Sequence, residues 1–416
     1  MGREKFLVWV MVILFLAFSS AYTIMGYGSL YDPDEGEGGL YRFDRGQSIR
    51  VARAVLSGDF GVYEREMRTE FLSETGRTRT YPPGSSLLVA PFVCVADKLQ
   101  FPNDVLFSLA TIPFIFLSGF GVALIVSIIE KFQMRDITKA ELVLIGVFLF
   151  GGLLFYCCVK EGKFEGVVAF FTLAGIWFLP DRKLLSGICF GAALCTKQSA
   201  ILAVAPTFLV LVGEKKFGNL IYWSLGLCTT VLCLFLPFVI GSGLNNVYMG
   251  IMRTFDFCRI QESTSVGYLY ELIRLIFGDT NGVIETRMQY HANKVVLLIC
   301  LLFSVALVIN KRVSLSKPAS YFALLTVCGF LYVIFGKWYH AGIYEIVPLY
   351  LFVLWALAAK QSEFATLILL VASFLVGAWP MALGKKELLL LLYSLLSIYV
   401  FHYILTTRDG ETEPVD

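Results

Sequence analysis

Charge is scarce in this chain. Only 16% of its 416 residues are Asp, Glu, Lys or Arg, against roughly a quarter in soluble domains, which excludes an ordinary water-soluble globule. The formal net charge of +2 is too small to point to nucleic acid or to any bulk electrostatic partner, and no nucleic-acid partner is expected. Histidine is nearly absent: His291, His340 and His402 lie far apart in sequence, which argues against a histidine-rich metal site. There is no C-x-x-C pair, and most of the ten cysteines (among them Cys157, Cys158, Cys189, Cys195, Cys228, Cys233, Cys300 and Cys328) sit inside apolar runs, with Cys258 in a polar loop. They read as small membrane-core residues and not as a disulfide framework. Strict polar–apolar alternation is also missing, which removes a transmembrane β-barrel.

What the chain does have is long apolar runs, with a mean hydropathy of +0.73. A spanning helix needs about 20 apolar residues, and such segments are read at 6–26, 104–130, 141–159, 164–180, 184–196, 199–213, 218–240, 294–310, 319–336, 343–359, 364–380 and 387–405. The expected fold is therefore an all-α polytopic membrane protein, a single domain over 1–416 with about 11–13 transmembrane helices. The start has some marks of a signal peptide, but its apolar run exceeds the usual 7–15 residues and no A-x-A follows; it is read as a retained first span. The connectors at 131–140, 181–183, 214–217, 311–317 and 360–363 are basic and fall on the side of the basic N-terminus. Short basic loops belong in the cytoplasm, so both termini, including the tail 406–416, are expected inside.

Two long polar segments, 27–103 and 241–293, then lie outside, and with them the function. In the first, "GQSIRVARAVLSGDFGVY" spaces Ile49, Ala52 and Leu56 as one face of an amphipathic helix, expected to lie on the membrane. "YPPGSSLLVAPF" follows with a rigid turn at Pro82 and Pro83 and an apolar segment short of Pro91, expected to be interfacial or re-entrant. The stretch 184–213 is too long for one helix and short for two. Two short helices, or one broken at "TKQS", would set Lys197 at or just below the exterior surface.

Four groups of side chains carry candidate chemistry. Asp32, Asp34, Glu35, Glu37 and Asp44 crowd the stretch after the first span; as a bland alternative they are a solvated loop, and as a site they supply a base or cation ligands. Lys160, Glu161, Lys163 and Glu165 alternate in sign at a hairpin, where they either cap helix ends or join the site. Lys197 and Gln198 sit inside an apolar run, and a lysine there costs about 2.5–3.5 kcal/mol unless it finds a partner or water. The fourth group is "FGKWYHAGIYEIVP", with Lys337, His340, Tyr344 and Glu345. Its aromatics suit an interfacial belt, while Lys337 and His340, with Lys197, offer positive charge to an anionic headgroup.

Taken in order, "YDPDEG", "RVARAVLSGDFGVY", "GRTRTYPPGSSLLVAPF", "GKFEGVVAFF" and "LSGICFGAALCTKQSAILAVAPTFLVLV" resemble the GT-C superfamily of membrane glycosyltransferases, which includes protein O-mannosyltransferases, aminoarabinose transferases and dolichyl-phosphate-hexose transferases. The likeness covers residues 27–213 and thins afterwards. It implies inverting transfer of a hexose or related sugar from a polyprenyl-phosphate carrier to a protein, lipid or glycan acceptor at the extracytoplasmic face of the cell membrane. It also implies that Asp34 or Glu35 acts as base or substrate ligand, with Asp44 as rival, and that Lys197 with Gln198 holds the lipid phosphate. The late-loop basic residue of the superfamily has Lys337 or His340 as its counterpart here. Arg53, Tyr81, Lys163, Glu165 and Tyr344 are the expected further substrate contacts. No resident cofactor is implied; the carboxylates admit Mg²⁺ or Mn²⁺, and a metal-free mechanism is equally open. The competing classes are a secondary transporter, against which stand the lack of repeated halves and the acid-rich first loop, and a noncatalytic assembly protein.

Overall fold

The computed structural model describes residues 2–25, 44–64, 82–133, 135–160, 163–256, 283–335, 346–378 and 386–406. Among these there is no strand, and the helices in chain order are α1 (Arg3–Ile24), α2 (Asp44–Leu56), α3 (Gly84–Lys98), α4 (Asn103–Gln133), α5 (Lys139–Phe150), α6 (Glu165–Phe178), α7 (Lys183–Thr196), α8 (Ile201–Gly213), α9 (Phe217–Ser242), α10 (Leu244–Asp256), α11 (Val283–Ile309), α12 (Pro318–Phe335), α13 (Ile346–Ala358), α14 (Ser362–Ala378) and α15 (Lys386–Thr406). Three of them, α1, α4 and α9, are by length and composition long and apolar enough to cross a membrane, and several shorter apolar helices accompany them. The protein is all-α and polytopic, as its composition requires.

The bundle is organised around α13. Ile346, Pro348, Leu349, Tyr350, Leu351, Phe352 and each residue on to Ala358 are buried, and a helix apolar on every side belongs in the interior. Its Tyr350 hydroxyl donates to the Ser118 carbonyl of α4 at 2.6 Å and its ring meets Phe148 of α5 edge to face at 4.8 Å. In lipid the hydrophobic effect does not separate helix from helix, so close packing of small residues decides which pairs form. The pair α7 and α9 shows this. A Cβ on Gly187 would lie 1.9 Å from the Trp223 carbonyl oxygen, and one on Gly226 would lie 2.2 Å from that of Leu184, so the two backbones touch where only glycine fits.

Two expectations about elements need amending. The segment 141–159 is not one span: α5 stops at Phe150, and Gly152, at φ 99°, turns the chain into a short helical stretch and the π-helical turn Tyr156–Lys160. That φ is open to glycine and strained for other residues. Nor does Pro91 end the helix that follows "YPPG"; α3 runs through it to Lys98. By contrast, α2 forms where the Ile49–Ala52 spacing places it. Its apolar face is covered by protein: Ile49 and Ala52 pack with Val89 and Val93 of α3 and Phe107 of α4, while Leu56 is exposed.

The short connectors gather at one end. Lys5 pairs with Glu130 at 2.6 Å and Lys131 with Asp181 at 2.7 Å. Arg135 donates to both carboxylate oxygens of Glu141 and to the Leu357 carbonyl, the Leu315 amide donates to Glu214 at 3.1 Å, and the Tyr403 hydroxyl donates to Gln361 at 2.8 Å. The basic connectors and the N-terminus thus share one face of the bundle, as the charge pattern predicts. At the other end, Ser108 donates to the Thr23 carbonyl, Ser48 and Ser85 bond at 3.0 Å, and Ser242 donates to the Phe60 carbonyl.

Candidate functional site

At that second end the bundle buries an ion pair. Glu165 opens α6 and Lys197 ends α7, and each is 2% exposed. Lys197 Nζ donates to Glu165 Oε1 and stands 5.1 Å above the centre of the Phe164 ring. Each charge suits its helix end: the carboxylate lies in the first turn of α6, where the macrodipole is positive, and the ammonium follows the last turn of α7, where it is negative.

The backbone explains why Lys197 is here. The helix through 184–213 breaks at this residue, which adopts extended dihedrals (φ −155°, ψ 135°) before a 3-10 turn over Gln198–Ala200 leads into α8. The segment is thus two short helices joined at the lysine, one of the two forms expected from its length. The start of α3 closes over the break, since a Cβ on Gly84 would lie 2.6 Å from the Cys195 carbonyl oxygen. The "YPPG" turn and the "TKQS" break, far apart in sequence, therefore meet in space.

The pair borders a cleft whose other walls include Leu202 and Ala203 of α8, Leu325 and Tyr332 of α12, and Pro348 and Leu351 of α13. The cleft is narrow, with about 30 Å³ wide enough to seat the centre of a water molecule. One end is ionic and the rest is almost wholly apolar. Glu165 leaves a second feature there: its Oε2 is buried and carries no hydrogen bond among the described residues. Gln198 Oε1 is also buried with no hydrogen bond among the described residues, but Gln198 does not line the cleft. Native proteins satisfy nearly all such atoms, and exceptions call for a reason.

The remaining candidates sort as follows. Lys163 is buried two residues ahead of Glu165. Arg53 forms a bidentate ion pair with Asp97, Nη2 to Oδ1 at 2.7 Å, on the exposed flank of α2 and α3, and does not line the cleft. Asp44 is the first residue of α2, with its side chain outside the described set. Asp34, Glu35, Tyr81, Lys337, His340 and Tyr344 lie outside the described residues. The helices flanking the last three, α12 and α13, both wall the cleft. Among the described residues no cluster of three His, Cys, Asp or Glu side chains could hold a metal ion.

Some parts of the site escaped the sequence reading. Phe164 lies within the quoted "GKFEG" and Pro348 closes the quoted "FGKWYHAGIYEIVP", but neither is singled out there, and Tyr332 carries no local signal. Beside the site, Tyr63 is buried and packs edge to face on Phe238 of α9; burial, and to a smaller extent the nearby Cys195 thiol, push its phenol above the ordinary value.

A comparison with curated proteins gives no match. Residues 80–336, which include the ion pair, the helix break and the α12 wall of the cleft, match glycosyltransferase family 87. More than half of the chain is matched, and this integral membrane protein belongs to glycosyltransferase family 87.

Proposed function

We propose that the protein transfers a hexose or related sugar from a polyprenyl-phosphate carrier to an acceptor hydroxyl at the extracytoplasmic face, with inversion at the anomeric carbon. The observation that carries this reading is the cleft with an ammonium at one end and apolar walls along the rest. A lipid phosphate has the matching layout, an anionic head on an apolar chain. The fixed positive charge of Lys197 lies where the leaving group's charge would grow, in a region poor in water, where such a charge acts most strongly.

In the reaction the acceptor oxygen attacks the anomeric carbon as the bond from that carbon to the phosphate oxygen breaks. Polyprenyl phosphate departs as an anion and needs a cation more than a proton, which assigns Lys197 to the leaving group. The acceptor's proton passes to a carboxylate on the opposite side of the anomeric carbon, for which Asp34, Glu35 and Asp44 are the candidates. Holding the two substrates in line supplies much of the rate by removing the entropy of encounter. Membrane lipids supply the surroundings of the carrier. The acceptor is a protein, a lipid or a growing glycan of the cell envelope.

Purified protein in proteoliposomes tests this. Conversion of undecaprenyl-phosphate hexose to undecaprenyl phosphate, with the hexose recovered on a hydroxyl of added envelope lipid, glycan or protein and with dependence on Lys197 and on one of the three acids, is the expected outcome. Uptake of free sugar without consumption of the carrier-linked form would mark a transporter instead.

A further inference from the structure

A donor that fits this cleft has two parts, a phosphate and a sugar, and the ion pair divides into two functions along the same line. Lys197 is a hydrogen-bond donor and cation, suited to phosphate oxygens. The ionised Glu165 is an acceptor only. Its Oε1 is taken by Lys197, while Oε2 is buried with no hydrogen bond among the described residues, in a side chain that is 2% exposed and lines the cleft. A phosphate cannot satisfy that oxygen, because both groups are anionic acceptors. A neutral hydroxyl can.

On the reading of the cleft as the donor site, we infer that Glu165 Oε2 accepts a hydrogen bond from a ring hydroxyl of the transferred sugar, so that Glu165 recognises the sugar while Lys197 recognises the carrier phosphate. The two side chains hold each other at the fixed separation of an ion pair, which sets the sugar's orientation relative to its leaving group. Glu165 is on this account a positioning and specificity residue, not the base. The cleft is narrow for a hexose, so sugar entry requires its walls to part.

The test measures binding of undecaprenyl-phosphate hexoses (gluco, manno and galacto forms) and of bare undecaprenyl phosphate to the full chain in nanodiscs. Wild-type protein is expected to bind its preferred hexose form at least about tenfold more tightly than the bare carrier, since a charge-assisted hydrogen bond is worth a factor of this size or more. Glu165→Gln keeps the side chain's shape but turns its amide oxygen to Lys197 and its NH₂ group to the cleft. That variant should lose most of the tenfold preference while binding the bare carrier as well as before or better.

Wild-type protein offers a second route that needs no variant to fold. Among monofluoro-deoxy donors, in which one hydroxyl is replaced by an acceptor-only fluorine, one should bind about tenfold or more worse, and Glu165→Gln should tolerate that same analogue. The inference is overturned if every fluorinated donor binds wild-type protein like the parent. It is equally overturned if Glu165→Gln weakens hexose and bare carrier alike, or lowers turnover with donor binding unchanged. Absence of binding of either undecaprenyl compound to wild-type protein would instead sink the reading of the cleft as a donor site, and this inference with it.

Discussion

The two ends of the bundle treat buried charge in opposite ways. At the connector end, Glu141 is buried but fully satisfied: Arg135 donates to both of its oxygens, the Thr138 amide donates to Oε2 at 2.8 Å, and Thr138 Oγ1 accepts from the Glu141 amide to complete a capping box. At the other end, Glu165 has one charged partner and, among the described residues, one oxygen without a hydrogen bond, beside a cleft. A network that is fully paired within the protein has nothing left to offer a ligand and serves to hold elements together. A pair that leaves an acceptor unbonded at the edge of a cleft bears a cost that folding alone does not recover. On the proposed function, the contrast is that between a charge that holds elements together and a charge left for a ligand.

The largest effect should come from Lys197. Lys197→Met is expected to lower transfer by two orders of magnitude or more in a carrier-consumption assay. It also leaves Glu165 buried and unpaired, which typically costs about 3–5 kcal/mol. The double variant Glu165→Leu with Lys197→Met should recover thermal stability in detergent and remain inactive. Recovery of both would place the pair on the structural side of the comparison.

Next in size is Gly187→Leu. With a Cβ directed 1.9 Å from the Trp223 carbonyl, α7 and α9 cannot keep their approach, and overpacking of this kind costs about 1–3 kcal/mol or more. A fall in melting temperature and in folded yield should follow. An unchanged melting temperature would mean that α7 and α9 do not pack as described.

The connector end should respond in stability and not in chemistry. Arg135→Ala is expected to destabilise by about 1–3 kcal/mol with turnover per folded molecule unchanged, read by unfolding and by specific activity. Burial of the Glu141 carboxyl works to raise its pKa, but the Arg135 and Thr138 hydrogen bonds outweigh it and hold the group, which caps α5 ahead of the apolar run 142–150, below the usual value. Its stabilising contribution is therefore complete above the unfolded-state value of about 4.3 and is lost as pH falls through the lower folded value. Glu141→Gln should remove that acid-side dependence, and an acid limb that survives the substitution would assign it to another carboxylate. Smallest of all, Arg53→Ala breaks an exposed pair with Asp97 and should cost no more than about 1 kcal/mol, with donor binding unaffected. A tenfold loss of donor binding would bring Arg53 into the site.

How much of this was legible in the sequence depends on whether a feature is local. The helix break at "TKQS" and the α2 helix follow from run length and from the Ile49–Ala52 spacing, and both are present. The Thr138-x-x-Glu141 pattern is a readable cap signal that passed unnoticed where the connector 131–140 meets the apolar run. Lys197 and Glu165 were each singled out, but their pairing was not legible, because 32 residues separate them and what joins them is the packing of α6 on α7. Gly175 sets that approach, since a Cβ there would lie 2.8 Å from the Phe190 ring. The cleft walls from α12 and α13 were invisible for the same reason. The resemblance seen in sequence was concentrated in residues 27–213, whereas the family match runs over 80–336; it leaves out the acidic stretch that drew most notice and takes in α12.

The most direct measurement is photocrosslinking in membranes with a diazirine-bearing undecaprenyl phosphate. The account predicts label on the cleft walls, at Leu202, Leu325 or Leu351, that is lost in Lys197→Met and competed away by unlabelled undecaprenyl phosphate. Label confined to the outer face of α9, at Leu225, Leu232 or Leu236, and indifferent to Lys197 would contradict it.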